Sequence, residues 1–326
     1  MANREIWVYA ELKGDTPVPV FYELLAKADE IARSKEWKVA SVVIGSETAD
    51  AVEMLQNCCD KVYVADSVEL ENYTLERYAA AMEALINEHQ PEMVLVGATG
   101  IGSELAPTTA AKVKTGLAAH CIDIVVDEER DRINCMVPAF GGKVVSEIYI
   151  PEAKPMMASI RQGILEKAPV DRACAETVTL DTAFLAALPV RERFLEFTPE
   201  IIDGVKLEEA NVVVAAGRGI STEASWATVN ELADKLGAGV GWSRNFVDLG
   251  IVDTEANMIG TSGKSVKPSV FIGAGISGAT HFVCGMLKSK MIISVNKDEK
   301  AKIFDYSDYG IVGDAGKFLA SLAELL

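Results

Sequence analysis

The sequence predicts an α/β protein of two domains. Residues 1–190 read as an N-terminal α/β domain with a mostly parallel sheet plus added strands, 205–326 as a second α/β domain, and 191–204 as the linker between them. Three observations carry this reading. The chain has 326 residues, and domains run to roughly 100–200 residues each. Short apolar runs alternate with stretches of helical periodicity, the pattern of parallel strands covered by helices. Residues 185–208 interrupt that alternation with Pro189, Arg191-Glu192-Arg193, Pro199 and Asp203-Gly204, which are turn-forming and charged.

Taken in order, Ile6 to Leu12 reads as a strand, Pro19 to Lys35 as a helix, and Val39 to Ile44 and Val62 to Val64 as strands. Leu75 to Glu88 has helical spacing, and Met93 to Val96 is a buried strand. Four closely spaced strands follow: Ile122 to Val126, Ile133 to Val137, Val144 to Ile150 and Met156 to Ile160. They are expected to add an antiparallel or mixed edge. Beyond the linker, Val212 to Ala216 is a strand that ends in Gly217-Arg218-Gly219. A helix capped by Ser221 or Thr222 comes next. Val270 to Ile272, Met291 to Val295 and Tyr309 to Val312 are the remaining strands, and no internal repeat or low-complexity segment interrupts them.

Composition excludes several classes. Hydrophobic residues at 49% and charged residues at 24% are the balance of a folded globular chain. A formal net charge of −17 argues against nucleic-acid binding, which needs a basic footprint, and against docking on anionic lipid. No run of about 18 apolar residues is present. The start, Met1-Ala-Asn-Arg-Glu-Ile-Trp-Val-Tyr-Ala10, lacks the regions of a signal peptide, so a cytoplasmic location is expected. The six cysteines (Cys58, Cys59, Cys121, Cys135, Cys174 and Cys284) form no CxxC or Cys/His cluster, so free thiols are expected, with no metal and no iron–sulfur centre.

The chemistry concentrates after strands of the second domain. Gly273-Ala-Gly-Ile-Ser-Gly278 fits GxGxxG, follows a strand and is expected to open a helix over Ala279 to Lys288. Glycines there let backbone N–H groups approach a pyrophosphate, and a helix start favours negative charge. Asp298 lies where a ribose-binding acid would sit. The plainer alternative is a tight turn with close helix–strand packing. Gly217-Arg218-Gly219, Ser243-Arg244 and Thr261-Ser262-Gly263-Lys264 are further polar loops near strand ends, and together they suggest one crevice in a Rossmann-like domain. Walker A and nucleophile-elbow patterns are absent. Of the three histidines, His89 reads as surface, His120 as core or edge packing, and His281 as a group able to hydrogen-bond a ligand. No catalytic constellation can be assembled from them. In the first domain, Gly97-Ala-Thr-Gly-Ile-Gly102 is a second glycine loop with no acid or base clustered by it, and reads as a vestigial or interface loop.

Residues 270–314 resemble the C-terminal signature of the electron-transfer flavoprotein alpha subunit family. The resemblance is carried by Gly275-Ile-Ser-Gly-Ala279, Gly285-Met286, Ser289-Lys290, Val295-Asn-Lys-Asp298, Ile303-Phe304 and Asp308-Tyr-Gly-Ile-Val-Gly-Asp314. Gly217-Arg-Gly219 and Ser243-Arg244 match in order and spacing, as do Gly97-Ala-Thr99, Leu105-Ala-Pro107, Thr115-Gly-Leu117 and Pro138-Ala-Phe-Gly-Gly142, so it spans nearly the whole chain. It implies an electron carrier rather than a stand-alone enzyme. The carrier would pair with a beta subunit, hold FAD in the second domain, and serve flavin dehydrogenases of the acyl-CoA type, or an electron-bifurcating complex. It also implies a flavin site formed by Arg218, Ser243, Arg244, Ile259, Gly260, Thr261, Ser262, Gly263, Ser277, Gly278, Ala279, Thr280, His281, Phe282, Asn296, Asp314 and Ala315. Arg244 would lie by the isoalloxazine ring and raise its potential, Ser262 would face flavin N5, and Asn296 and Asp314 would address the adenosine end. Two segments depart from the family. Its usual Gln-Val-Gly-Gln-Thr-Gly reads Met258-Ile-Gly-Thr-Ser-Gly263, and its Ile-Gln-His reads Thr280-His-Phe282. Phe282 therefore stands where a histidine should face flavin O2, which leaves that contact to His281 or to a backbone N–H. The rival readings are a nicotinamide-dependent oxidoreductase and a nucleotide-sensing module.

Overall fold

A computed structural model of the chain describes residues 3–139, 144–173, 176–196, 198, 205–252, 256–261 and 263–326. They form two compact units, the second beginning at Thr198. That position falls inside the stretch expected to be the linker, of which 197 and 199–204 lie outside the described residues.

The first unit runs β1 (Asn3–Tyr9), β2 (Leu12–Lys13), β3 (Thr16–Pro17), α1 (Pro19–Lys35), β4 (Lys38–Gly45), α2 (Ala49–Leu55), β5 (Lys61–Asp66), α3 (Leu75–His89), β6 (Pro91–Gly97), α4 (Gly100–Lys112), β7 (Leu117–Cys121), β8 (Asp123–Asp127), β9 (Arg132–Ala139), β10 (Val144–Ile148), β11 (Met156–Ile160) and β12 (Glu176–Thr179). Its seven-stranded sheet has the order β12-β5-β4-β1-β6-β11-β7, and every pair in it is parallel. The interior strands are largely apolar on both faces, as a sheet covered on both sides requires. Ile6, Val8, Val39 and Leu95 pack on one side with α1; Trp7, Val42, Tyr63 and Val94 pack on the other with α3 and α4. Helix α1 begins with Pro19 at its first position, where the missing N–H is not needed, and buries Val20, Phe21, Leu24, Leu25, Ala28, Ile31 and Ala32.

The expectation for residues 122–160 is corrected in two respects. β8, β9 and β10 form an antiparallel sheet of their own, with Ile124 and Ile148 both opposite Cys135. Met156–Ile160 is an interior strand between β6 and β7, parallel to both. The reason lies in its composition: all five residues are buried, which only a strand covered on both faces allows. The first strand also stops at Tyr9, because Leu12–Lys13 turns back on Thr16–Pro17. β12 escaped the sequence reading because Glu-Thr-Val-Thr is mostly exposed at the sheet edge. His89 is not a plain surface residue: its ring packs 4.7 Å from that of Tyr63 and 6.3 Å from that of Trp7.

Two polar groups in this unit matter later. Glu5, 1% exposed, accepts hydrogen bonds from Trp7 Nε1 and Tyr63 Oη, both 2.8 Å, and pairs with Lys61 Nζ at 3.3 Å. The second lies where the sheet reverses direction, between the carboxyl ends of β1 and β6. There Thr99 caps α4 by accepting the Gly102 N–H, and donates its own hydroxyl to Glu11 at 2.5 Å. Burial pushes the Glu11 carboxyl pKa up, against the opposing pull of that hydroxyl.

The second unit runs β13 (Val212–Ala216), α5 (Glu223–Leu236), β14 (Gly239–Trp242), α6 (Arg244–Val247), β15 (Val270–Ala274), α7 (Thr280–Val283), β16 (Ile292–Asn296), β17 (Tyr309–Val312) and α8 (Ala315–Leu325). Its sheet, β14-β13-β15-β16-β17, is parallel throughout. Thr222 is the cap of α5: it accepts the Ser225 N–H, while the Ser225 hydroxyl accepts the Thr222 N–H, both at 3.2 Å. Thr222→Ala is expected to lower the stability of this unit by about 1 kcal/mol, read from the urea midpoint of unfolding; no change would mean that water replaces the cap.

The helix expected over Ala279 to Lys288 is corrected to four residues, Thr280–Val283. Gly285 ends it. A Cβ at Gly285 would lie 2.6 Å from the Gly260 backbone nitrogen, and the Gly285 carbonyl accepts the Val266 N–H at 2.7 Å. These tertiary backbone contacts hold the chain in tight turns where a longer helix would have run on.

Among the described residues Cys59, Cys121 and Cys135 are buried, Cys58 and Cys284 are half-buried, and Cys174 lies outside them. No group of three His, Cys, Asp or Glu among the described residues could hold a metal ion. No described helix is long and apolar enough to cross a membrane.

Candidate functional site

In the second unit β14 lies on one side of β13 and β15 on the other. The chain therefore reverses between β13 and β15, and the loops at their carboxyl ends diverge around a crevice. A cavity of about 990 Å³ opens there. Arg218 and Gly219 line it from the loop after β13, and Ser243, Arg244 and Asn245 from the end of β14. Met258, Ile259, Gly260 and Thr261 form another wall; Gly275, Ile276, Ser277, Ala279, His281 and Phe282 follow β15; Asn296, Asp298, Lys300, Ala301 and Lys302 follow β16.

The glycines of the turn are required by close backbone packing. Gly275, at φ +66°, is in backbone contact with Gly219: a Cβ on Gly275 would lie 2.6 Å from the Gly219 Cα. The Gly219 N–H donates to the Gly275 carbonyl at 3.0 Å, and the Gly217 N–H to that of Ala274 at 2.8 Å. Gly278, at φ +82°, faces Ile303, whose backbone nitrogen would be 2.2 Å from an added Cβ. These glycines let the loops after β13, β15 and β16 lock together, and the locked loops shape the cavity. Asn296 strengthens the lock. Its amide donates to the Ile276 carbonyl at 2.7 Å, and its side-chain oxygen accepts the Asp298 N–H at 3.0 Å.

Segment 258–261 is held between β14 and α7. The Ile259 N–H donates to the Trp242 carbonyl, and the Thr261 N–H to that of His281, both at 2.8 Å. Thr261 Oγ1 and His281 Nδ1 share a hydrogen bond of 3.1 Å. The exposed His281 thus presents an imidazole at the cavity, whereas Phe282 is 6% exposed with its ring 6.3 Å from that of Phe271.

The structure brings together, around one cavity, Arg218, Ser243, Arg244, Ile259, Gly260, Thr261, Ser277, Ala279, His281, Phe282 and Asn296 from the expected set. Gly263, Gly278, Thr280, Asp314 and Ala315 are not part of that lining, and Ser262 lies outside the described residues. Asp314 caps α8, accepting the Lys317 N–H at 3.0 Å, and pairs with Lys297 Nζ at 2.9 Å. Those two contacts hold its carboxyl below the usual aspartate range. Lys300 and Lys302 went unnoticed in the sequence, because exposed lysines near a helical turn read as a solvated face. The lining nevertheless carries four cations (Arg218, Arg244, Lys300 and Lys302) against one carboxylate, Asp298, in a chain of net charge −17. Such local concentration of the minority charge favours an anionic ligand.

Comparison with known proteins agrees with this arrangement. The family model described as electron transfer flavoprotein domain matches residues 6–183, and the one described as electron transfer flavoprotein FAD-binding domain matches 206–287. The electron transfer flavoprotein subunit alpha of Thermoanaerobacterium thermosaccharolyticum is 37% identical over 322 residues, covering 98% of this chain and 97% of the relative. The acryloyl-CoA reductase electron transfer subunit beta of Anaerotignum propionicum is 32% identical, covering 99% and 95%. Subunit LctC of the lactate dehydrogenase (NAD(+),ferredoxin) of Acetobacterium woodii is 35% identical, covering 99% of this chain and 77% of that subunit. With both family models matched in succession and relatives at 32–37% identity matched over nearly all of this chain, the chain belongs to the electron transfer flavoprotein alpha subunit family.

Proposed function

We propose that this chain binds FAD in the cavity of its second unit, pairs with a beta subunit, and relays electrons between a flavin dehydrogenase and another carrier without catalysing a substrate reaction itself. The observation that carries this reading is the crevice at the β13–β15 reversal, with four cations in its lining. Its volume of about 990 Å³ suits a large cofactor. An acyl-CoA-type flavin enzyme as partner is supported by the name of the Anaerotignum relative, an electron transfer subunit of an acryloyl-CoA reductase. A bifurcating role, with electrons sent two ways, is the variant supported by the Acetobacterium relative, whose name pairs NAD(+) with ferredoxin. The nicotinamide rival needs an acid or base facing its substrate. Of the acid and base groups lining the cavity, Asp298 already accepts the Lys300 N–H at 3.0 Å and His281 Nδ1 already shares a hydrogen bond with Thr261 Oγ1 at 3.1 Å.

In this reading, bound FAD supplies the electron-carrying ring. Arg218, Ser243 and Arg244 at the ends of β13 and β14 neutralise and orient it, and His281, fixed by Thr261, offers a polar group near its edge. By their places in the family pattern, Ser262 would face flavin N5, and Asn296 and Asp314 would address the adenosine end. Two units joined through 191–204 divide the work, the first facing partners and the second holding the flavin.

Co-purification with the beta subunit tests this directly. A yellow complex whose extracted cofactor is FAD is the expected result; a complex that stays colourless after FAD is added would overturn it. Arg244→Ala is expected to lower the midpoint potential of the bound flavin, because a nearby positive charge favours the reduced, more negative ring. A spectroelectrochemical titration indistinguishable from wild type would remove Arg244 from the ring.

A further inference from the structure

We propose that Lys300 and Lys302 make this site selective for a flavin carrying a diphosphate over one carrying a single phosphate; the proposal rests on the flavin reading of the cavity. After β16 the chain makes a tight turn. The Ala301 N–H donates to the Asp298 carbonyl, and the Lys300 N–H to the Asp298 carboxylate, both at 3.0 Å. The backbone at Lys302–Ile303 is then pressed against Gly278, and the Ile303 N–H donates to the Ser277 carbonyl at 3.2 Å. The glycine turn thus fixes the backbone that carries both lysines, and both side chains line the cavity on that side.

Their charge is not consumed by the protein. Among the described residues neither lysine has a carboxylate partner, whereas Lys297 nearby pairs with Asp314 and Lys264 pairs with Glu208. Two like charges at one rim repel, and a ligand anion between them relieves the repulsion. The remaining cations of the lining, Arg218 and Arg244, follow β13 and β14 on the other side of the reversal. The positive charge is therefore in two groups, which suits a ligand with separated electron-rich parts: a ring system against the arginines and a diphosphate against the lysines. A single phosphate forfeits half of the lysine interaction.

The test compares wild type with the K300Q/K302Q double variant, each prepared with its beta partner and stripped of flavin. The dissociation constants of FAD and FMN are measured at several salt concentrations. FAD affinity is expected to fall about tenfold in the double variant, two exposed charge contacts contributing up to about fivefold each. The loss should shrink at high salt, where such contacts are screened, and K300R/K302R should restore it. FMN affinity should change by less than about threefold, half the charge effect or less. Equal loss for FAD and FMN, or FAD binding and salt dependence unchanged, would overturn the proposal. Both side chains are exposed, so the urea midpoint should match wild type and exclude misfolding as the cause. Wild type that binds no flavin overturns the underlying flavin reading instead, a result separable from the others because it appears before any substitution.

Discussion

Gly278→Ala is expected to strip flavin from the protein and to destabilise the second unit by about 3 kcal/mol or more, beyond the usual cost of a backbone mismatch because two penalties add. The first is conformational: φ +82° lies in the left-handed region that alanine avoids. The second is steric, since the new methyl would meet Ile303 backbone at 2.2 Å and 2.6 Å. Backbone on a locked turn cannot swing aside as a side chain can. Relief requires the loops after β15 and β16 to part, and their parting opens the cavity between Ser277 and Lys302. Flavin content at 450 nm and the urea midpoint should fall together. A stable variant that keeps its flavin would show that the turn is not the clamp described here.

Glu5→Ala is expected to cost about 3–5 kcal/mol, the penalty for breaking a buried ion pair by removing one partner. The substitution removes this acceptor from Trp7 Nε1 and Tyr63 Oη and leaves Lys61 Nζ with Glu176 as its carboxylate partner, at 3.0 Å. Two of these belong to side chains that are 0% exposed, so water cannot replace the carboxylate cheaply. Glu5→Gln keeps one acceptor oxygen and should lose less than half as much. The effect also has a pH signature. Burial first, and the Glu5 charge second, push the Tyr63 hydroxyl up to about 12 from its ordinary 10.0. A raised folded-state pKa contributes stability that is complete below the unfolded value and lost as pH rises through the folded one. Stability should therefore decline between about pH 10 and 12, and the decline should be shallower in Glu5→Ala. Equal midpoints for wild type and Glu5→Ala would mean that the carboxylate is not the hub of this core.

Local signals made much of the fold legible. Pro19–Lys35 was readable end to end because its apolar residues recur at helical spacing and its first residue is proline. Val212–Ala216 and Tyr309–Val312 were readable because short apolar runs sit between turn residues. Strand order was not, since parallel pairing joins segments distant in sequence. Met156–Ile160 sits between β6 and β7, and only its burial on both faces tells it from an edge strand. Helix α7 read too long because what ends it, the contact of Gly285 with Gly260, is tertiary. At the site, the arginines and the glycine turn stood out through their place after strands. Lys300 and Lys302 did not, because a lysine that lines a cavity and one that faces solvent look alike in a sequence. Asp314 shows the converse: its place in the family pattern marks it for the ligand, while its nearest contacts here are the start of α8 and Lys297.

Glu11 has a consequence for cofactor stoichiometry. The main sheet of each unit is parallel with a reversal of strand order, and each reversal is flanked by a glycine-containing loop. In the second unit that berth is lined by cations. In the first, the corresponding loops are joined by a carboxylate: Glu11 accepts the hydroxyl of Thr99, the residue that caps α4. A carboxylate at that point repels a phosphate and competes for the same donor. The two reversals thus carry opposite charge, and under the proposed flavin reading the second is the one that suits a nucleotide.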